Sequence, residues 1–398
     1  MEAAFVYPDW SALPEDLMAE VMRNLDILDL LRAGAVCTSW NAAHSEARRV
    51  RTPTDAAPCL LYSSGADDPD TVVGSGHGWV VAADEASNLQ VFNPLTGAQV
   101  DLPPVTGLYH VEGGADDQGR PVYNVYGEYP EPWTPCPYDP KKLRLFLYCR
   151  AYLSCSPSAG AACIILLVHR TNGDISFARL GDDQWTHVAE SELVERNWGY
   201  RSAAYNSNDG LFYLLSGDCS IYTLDLNETS PVLRQIIHRE EIRDDPTRYV
   251  VLAPWGDILQ VCRWIETRDN PGQVPAELAA EVIAPDQELY TEEIELFRVH
   301  LDDQELVKIS SSELQGHALF LGFNSTLLLS TKDFPAFKPN CAYITDDSSE
   351  HICINMYGCR EVGIWNFETQ TLESLGDVQS VHPLLNWPPP VWKTPSLS

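Results

Sequence analysis

Residues 11–51 read SALPEDLMAEVMRNLDILDLLRAGAVCTSWNAAHSEARRVR, and this stretch decides how the chain is organised. Pro14 suits the first turn of a helix, because its missing N–H is no loss there and its φ is already helical. Glu15 and Asp16 add negative charge at the positive end of the helix dipole. We therefore expect a first helix that starts near Leu13.

The first helix carries a wide apolar stripe. Leu17, Val21 and Leu25 recur every four residues, and Met18 and Met22 lie beside them. A solvated surface helix normally carries a narrower stripe. One side of this helix therefore needs a core, and another side is available to a partner.

Two more short helices follow in the sequence pattern. Asp29 can accept a hydrogen bond at the start of a second helix, Leu30 to Val36. Thr38 or Ser39 can do the same for a third helix that begins at Trp40. Gly34 is expected to weaken the second helix by about 1 kcal/mol relative to Ala. Three helices in so short a stretch bury little surface, since domains below roughly 40 residues seldom hold together alone.

The helical module resembles an F-box. The residues that carry the resemblance are Leu13-Pro14-Glu15-Asp16-Leu17, Val21, Leu25, Asp29-Leu30 and Val36-Cys37-Thr38-Ser39-Trp40. The resemblance implies docking on a Skp-type adaptor, and through it on a cullin, within a ubiquitin ligase. It implies these adaptor-binding residues: Leu13, Pro14, Leu17, Val21, Leu25, Leu30, Leu31 and Trp40. The alternative is that the helices only cap the downstream domain.

Composition limits the partners. Lys and Arg number 26 against 57 Asp and Glu, a formal net charge of −31, which repels nucleic acids and anionic membranes. We find no targeting segment and expect an intracellular protein of the nucleus or cytoplasm. The 11 cysteines show no CxxC, so we expect free thiols. Four acidic pairs are expected in solvated turns, or alternatively on a rim that attracts a basic partner: Asp67-Asp68, Asp182-Asp183, Asp302-Asp303 and Asp346-Asp347.

The remainder of the chain predicts an all-β domain. We place the helical module at 9–51, a connector rich in Thr, Pro, Asp and Ala at 52–58, and the β domain at 59–398. Brief apolar segments separated by Gly, Asn, Asp and Pro recur at about 50 residues, which indicates propeller blades. The expected fold is therefore α+β multidomain, a three-helix module followed by a propeller of about six blades, with seven as the alternative count. A β-sandwich or jelly roll is the second choice, and about 340 residues is long for one sandwich.

The order of these segments resembles a plant family of F-box proteins whose C-terminal region is a kelch-like propeller. The matching stretches are Val91–Gly97 with Leu102-Pro103, Gly256–Val261, Gly316–Gly322, Asn340–Asp347 and the tail Trp387–Pro395. Three prolines between Trp387 and Trp392 favour an extended tail that lies along a blade edge and closes or caps the ring.

The sequence contains no convincing catalytic or metal motif. It lacks a G-x-S-x-G elbow, a P-loop, H-E-x-x-H and a Rossmann fingerprint. His351-Ile352-Cys353 and Cys359 lack a second close pair of ligands, so we predict no metal and no cofactor. Aromatic side chains in loops can anchor a partner, and Trp and Arg contribute strongly at interfaces. Four residues are the candidate target contacts: Trp133, Trp198, Tyr200 and Arg201.

These observations favour a non-catalytic substrate receptor of a Skp-cullin-F-box ubiquitin ligase. The helices would bind the adaptor while the propeller holds the protein to be ubiquitinated. A propeller that binds proteins outside any ligase, with its helices packed as a cap, is the alternative, and a propeller enzyme is a third hypothesis. Burial of the apolar stripe of the first helix distinguishes the cap from the docking module.

Overall fold

The structure is a computed structural model of the chain. It describes residues 9–25, 27–50, 57–61, 71–127, 135–169, 173–188, 199–228, 230–238, 246–272, 274, 284–347, 360–375 and 390–394. The N-terminal part contains a 3₁₀ turn, Trp10–Ala12, and three helices: α1 (Glu15–Asn24), α2 (Ile27–Gly34) and α3 (Thr38–Val50). α3 packs against both α1 and α2.

The helix starts differ from those expected. Pro14 is the N-cap of α1 rather than its first turn, and Leu13 is extended with ψ of 134°. A residue before proline is disfavoured in the helical region, which explains the later start. α2 begins at Ile27, earlier than predicted, so Asp29 lies in its first turn and not at its cap. α3 begins at Thr38, two residues before the predicted start.

Five antiparallel or mixed sheets of four or five strands make up most of the rest. The first contains β2 (Thr71–Gly76), β3 (Trp79–Ala83), β4 (Leu89–Phe92) and β5 (Gln99–Asp101). The second contains β9 (Tyr148–Leu153), β10 (Ile164–His169), β11 (Asp174–Arg179) and β12 (Thr186–His187). The third contains β13 (Tyr200–Asn206), β14 (Leu211–Ser216), β15 (Ile221–Asp225) and β16 (Val232–Ile237).

The fourth sheet contains β17 (Thr247–Leu252), β18 (Ile258–Asp269), β19 (Gln287–His300) and β20 (Glu305–Ile309). The fifth contains β21 (His317–Leu321), β22 (Leu327–Ser330), β23 (Cys341–Ile344), β24 (Gly363–Asn366) and β25 (Thr371–Ser374), in the order β22-β21-β23-β24-β25. Two further elements lie between the first and second sheets along the chain. They are a three-stranded sheet, β6 (Val111–Ala115), β7 (Pro121–Val125) and β8 (Cys136–Tyr138), and helix α4 (Pro140–Leu147).

The large sheets form a ring. The first strand of each sheet contacts the first strand of the next, from β2 to β9, β13 and β17. The turn after β21 closes the circle, because Asn324 bridges Ser75 of the first sheet while the Thr326 hydroxyl donates to the Val250 carbonyl of the fourth, at 2.8 Å. This radial order is that of a propeller, as expected, and not that of a sandwich. The described residues contain five sheets of four or five strands, fewer than the six or seven blades expected.

The two ends of the β domain meet in a separate two-stranded sheet. β1 (Cys59–Leu61) pairs with β26 (Val391–Lys393), and Leu60 lies opposite Trp392. The buried Ser75 hydroxyl donates to the Trp392 carbonyl at 2.6 Å, which ties this pair to the first sheet. Of the predicted tail, residues 387–389 and 395 lie outside the described residues, and the described part, 390–394, joins the ring where closure was expected.

Candidate functional site

α1 presents two different apolar sides. Met18 and Met22 are buried, with 3% and 0% of their surface exposed, whereas Leu17 is 52% and Val21 37% exposed. With 3.6 residues per turn, positions 17 and 21 share one face, and positions 18 and 22 share the face rotated by about 100°. Pro14 is also exposed and lies three residues before Leu17. We call Pro14, Leu17 and Val21 the docking stripe.

The other face of α1 packs into a small interior. One cluster of buried apolar residues contains Met22, Leu30, Ala33 and Ala47, with Leu25, Trp40 and Ala43 partly buried against them. Leu30 is fully buried, so this predicted adaptor contact supports the surface from inside instead of forming it. The Trp40 indole N–H donates to the Trp10 carbonyl at 2.9 Å and fixes the 3₁₀ turn on α3.

The remaining predicted adaptor contacts vary in accessibility. Leu13 is partly buried, and the side chain of Leu31 lies outside the described residues. Two exposed apolar residues were not predicted as contacts, Trp10 at 60% and Val36 at 63%. Their positions in the chain could have indicated this exposure. Trp10 begins the 3₁₀ turn ahead of α1, and Val36 lies in the connection just before α3.

A glycine sets the distance between α2 and α3. A Cβ atom on Gly34 would lie 2.8 Å from the Cγ and Nδ1 atoms of the buried His44 ring, closer than real Cβ contacts. The Asn41 amide also donates to the Gly34 carbonyl at 2.9 Å. Gly34 was expected only to weaken α2, but here it permits the close approach of α3.

The predicted target contacts of the propeller are not brought together. Trp133 and Trp198 lie outside the described residues. Tyr200 is only 5% exposed and packs edge-to-face on Tyr222, with ring centroids 5.6 Å apart. Arg201, where the register of β13 shifts, is partly buried. Tyr200 therefore belongs to the core between sheets, and the aromatic pattern alone could not separate a core ring from an exposed one.

A buried ionic hub lies where the sheets meet, centred on Asp347. Its carboxylate accepts from the Arg150 guanidinium at 2.5 Å and from Arg263 at 3.2 Å, and the Tyr249 hydroxyl donates to it at 2.8 Å. These donors come from β9, β18 and β17. The Asp346-Asp347 pair was expected in a solvated turn; this expectation is wrong, since the two residues are 2% and 1% exposed.

The arginines of the hub have further partners. The Arg150 guanidinium donates to the Gly322 carbonyl at 2.6 Å. Arg263 donates to the Thr345 carbonyl at 2.7 Å and pairs with Glu361 at 3.0 Å. Arg360 pairs with Asp346 at 3.2 Å. Three arginines and three carboxylates therefore balance one another at the hub.

The environment fixes the charge of the hub. Burial alone would lower the pKa of Arg263, but Tyr249, Glu361 and the aspartates raise it above its ordinary value. Burial, and then the charge of Asp347, raise the pKa of the Tyr249 hydroxyl. Burial raises the pKa of Asp346, and Arg360 opposes this shift. Arg150 and Arg263 therefore stay charged and Tyr249 stays neutral near pH 7, which suits a structural ion-pair network rather than proton transfer.

Elsewhere the acidic pairs follow expectation where they are described. Asp182-Asp183 and Asp302-Asp303 are exposed, while Asp67-Asp68 lies outside the described residues. No group of three or more His, Cys, Asp or Glu side chains could hold a metal ion within the described ranges. His351, Cys353 and Cys359, which were considered and rejected as metal ligands on their sequence spacing, lie outside those ranges. In the part of the chain that the structure describes, no helix has the length and apolar character needed to span a bilayer.

Comparison with known proteins matches both parts of the chain. The KIB1-4 beta-propeller family matches residues 49–366, and the F-box-like family matches residues 10–48. The F-box protein SKIP23 of Arabidopsis thaliana is 20% identical over 97% of this chain and 96% of its own length. The Arabidopsis thaliana F-box/kelch-repeat protein At1g57790 is 31% identical over 24% of this chain and 32% of its own length.

Proposed function

Because the chain belongs to the KIB1-4 β-propeller family and carries an F-box-like region, we propose that it is the substrate-recognition subunit of a Skp-cullin-F-box ubiquitin ligase. F-box regions in general bind Skp-type adaptors. In this role the helices dock on the adaptor and thereby on a cullin, and the propeller holds the protein to be ubiquitinated. The chain itself makes no bonds and acts inside the cell by proximity.

The exposed docking stripe is the observation that carries this proposal. If the helices were only a cap on the propeller, their outward apolar side chains would be covered. Instead, Leu17 and Val21 are exposed, while Met18 is buried and Met22 packs in the module's own interior. The exposure of large apolar side chains beside a separate core is typical of a surface that binds a partner. This favours the ligase role over the ligase-independent propeller.

The target-binding role of the propeller rests on a weaker basis. The hub arginines are neutralised by carboxylates, so the hub itself offers no free cation to a target. The proposed target therefore meets the outer surface, where the excess negative charge of the chain is exposed. Of the four predicted contacts, Arg201 and the two tryptophans outside the described ranges stay predictions for this role.

The test is binding of the full-length chain to a purified Skp-type adaptor. A variant with Leu17→Asp and Val21→Asp should bind on the order of 100-fold more weakly, because each buried carboxylate would lack a partner. Arg23→Ala is the matched control, since Arg23 lies on the same helix, is exposed, and should leave affinity unchanged.

Circular dichroism must accompany the binding assay. The aspartate variant should keep the helical signal of wild type, because its two positions face away from the interior. Leu30→Ala, by contrast, should lose about 2–5 kcal/mol of module stability and bind poorly through unfolding. Wild-type affinity in the folded aspartate variant would contradict the proposal.

A further inference from the structure

Two cysteines occupy opposed positions at the loop end of the β9–β10 hairpin. The register pairs Ile165 with Leu153, and the Ser154 N–H donates to the Ile164 carbonyl at 2.9 Å. The next opposed positions in this antiparallel pair are Cys155 and Cys163. The Ile164 N–H donates in return to the Ser154 hydroxyl at 2.9 Å, so 154 and 164 are the bonded positions. Positions 155 and 163 are then of the alternate kind, where side chains of opposing strands lie closest.

The spacing expected at such a position suits a disulfide. Opposed residues at such positions have Cα atoms about 4.5 Å apart, inside the range that disulfides span. The Cys163 thiol already lies 3.1 Å from the Cys155 carbonyl oxygen, to which it donates. Both thiols are free in the structure.

The two thiols differ in accessibility and in reactivity. Cys163 is fully buried, whereas Cys155 is partly exposed at the edge of the core between the first and second sheets. Burial, and then the neighbouring Cys155, raise the pKa of the Cys163 thiol to about 12. An oxidant therefore meets Cys155 first, and Cys163 is kept from reacting by itself.

The segment between them suits a closed loop. It is short, is built of small residues, and turns through a 3₁₀ segment, Pro157–Ala162, that Ser156 caps. The Cys163 N–H donates back to the Gly160 carbonyl at 2.9 Å, so the loop is already closed on itself before any covalent bond forms. Closing this loop with a disulfide therefore costs little additional conformational entropy.

We propose that Cys155 and Cys163 form a redox-responsive dithiol that closes into a reversible disulfide when the chain meets a hydroperoxide. The peroxide transfers one oxygen to the Cys155 sulfur, giving a sulfenic acid and releasing an alcohol or water. The Cys163 sulfur then attacks the Cys155 sulfur, loses its proton and expels water. Two electrons pass from the thiols to the peroxide, and a thiol reductant reverses the change. Disulfides in reducing compartments are usually of this transient kind.

The sequence provides a clean assay on the full-length protein. Trypsin cleaves after Arg150 and Arg170, so Cys155 and Cys163 fall in one peptide, 151–170, and Cys149 falls in another. The reduced protein is treated with hydrogen peroxide, and its remaining thiols are alkylated with N-ethylmaleimide. The protein is then digested, and its peptides are measured by mass spectrometry. Wild type should give a 151–170 peptide about 2 Da lighter that takes no maleimide, and dithiothreitol should restore two alkylation sites.

Variants separate this pair from general oxidation. Cys149→Ser removes the partly buried neighbour on β9 and should leave the 2 Da loss intact. Cys155→Ser should abolish the loss, and Cys163→Ala should accumulate a Cys155 sulfenic acid that dimedone traps. Cys155→Ser alters a partly exposed position, so the assay remains decisive even if Cys163→Ala does not fold. Direct oxidation of Cys155 to sulfinic acid in wild type, or its linkage to Cys149, would overturn the proposal.

Discussion

Asp347→Asn is the substitution that tests the ring most directly. The Asp347 carboxylate is completely buried and accepts from Arg150, Arg263 and Tyr249, which belong to two different sheets. Removing one partner of a buried ion pair costs about 3–5 kcal/mol, because the remaining charge stays buried without its partner. An asparagine of the same shape keeps the packing, so the loss reports charge and hydrogen bonding.

This free energy converts into a melting shift. Unfolding entropy is about 2.1 cal/mol/K per residue, and the matched propeller region is roughly 300 residues long, which gives about 0.6 kcal/mol/K. The loss of 3–5 kcal/mol should therefore lower Tm by about 5–8 °C. The shift is small in degrees because the domain is large, and it remains easy to measure by calorimetry.

Differential scanning calorimetry of the full-length chain is the assay, and Asp257→Asn is its control. Asp257 pairs with Arg298 at 2.9 Å, but both side chains are about one-third exposed. Partly exposed pairs contribute little, so the control should move Tm by less than about 1 °C. If Asp347→Asn has the Tm of wild type, or if the control lowers Tm by the same amount, the hub does not hold the sheets together.

Two smaller changes test the close contacts of the fold. Gly34→Ala should destabilise the helical module although Ala is the better helix former by about 1 kcal/mol, because its Cβ would meet the His44 ring; a thermal melt at 222 nm that rises instead would contradict this. Ser75→Ala removes the 2.6 Å bond to the Trp392 carbonyl and should cost about 1–2 kcal/mol. Amide exchange in β26 should then quicken roughly tenfold, and unchanged exchange would show that the bond does not hold the closing strand.

Much of the architecture could be predicted because it depends on local pattern. Apolar alternation and turn residues located the hairpins, and Pro14, Glu15 and Asp16 located the first helix to within two residues. The width of the apolar stripe on that helix also indicated that one side packs on a core and another side is available to a partner. Periodicity could not tell which apolar residues face inward, however, since positions 17 and 18 both fit a helical stripe, and only packing against α3 decides between them.

The hub could not be predicted from local pattern. Asp346-Asp347 and Asp302-Asp303 look alike in the sequence, and both follow a β-strand, yet one pair is buried and the other exposed. The difference comes from arginines far away in the chain, such as Arg150, which is 197 residues from Asp347. The available signal was an arginine inside an apolar strand, as at Arg150 and Arg263, because such a charge needs a buried partner.

The helical module exposes larger apolar side chains than it can bury alone. Two of the four buried residues in its core cluster are alanines, whereas Trp10, Leu17 and Val36 are more than half exposed. A unit of this size gains little stability from such a core. A partner that covers the exposed residues adds its binding free energy to the folded state of the module. Docking and folding of the module are therefore linked, so that interior changes such as Leu30→Ala weaken binding as surface changes do, and only a stability measurement beside each affinity distinguishes them.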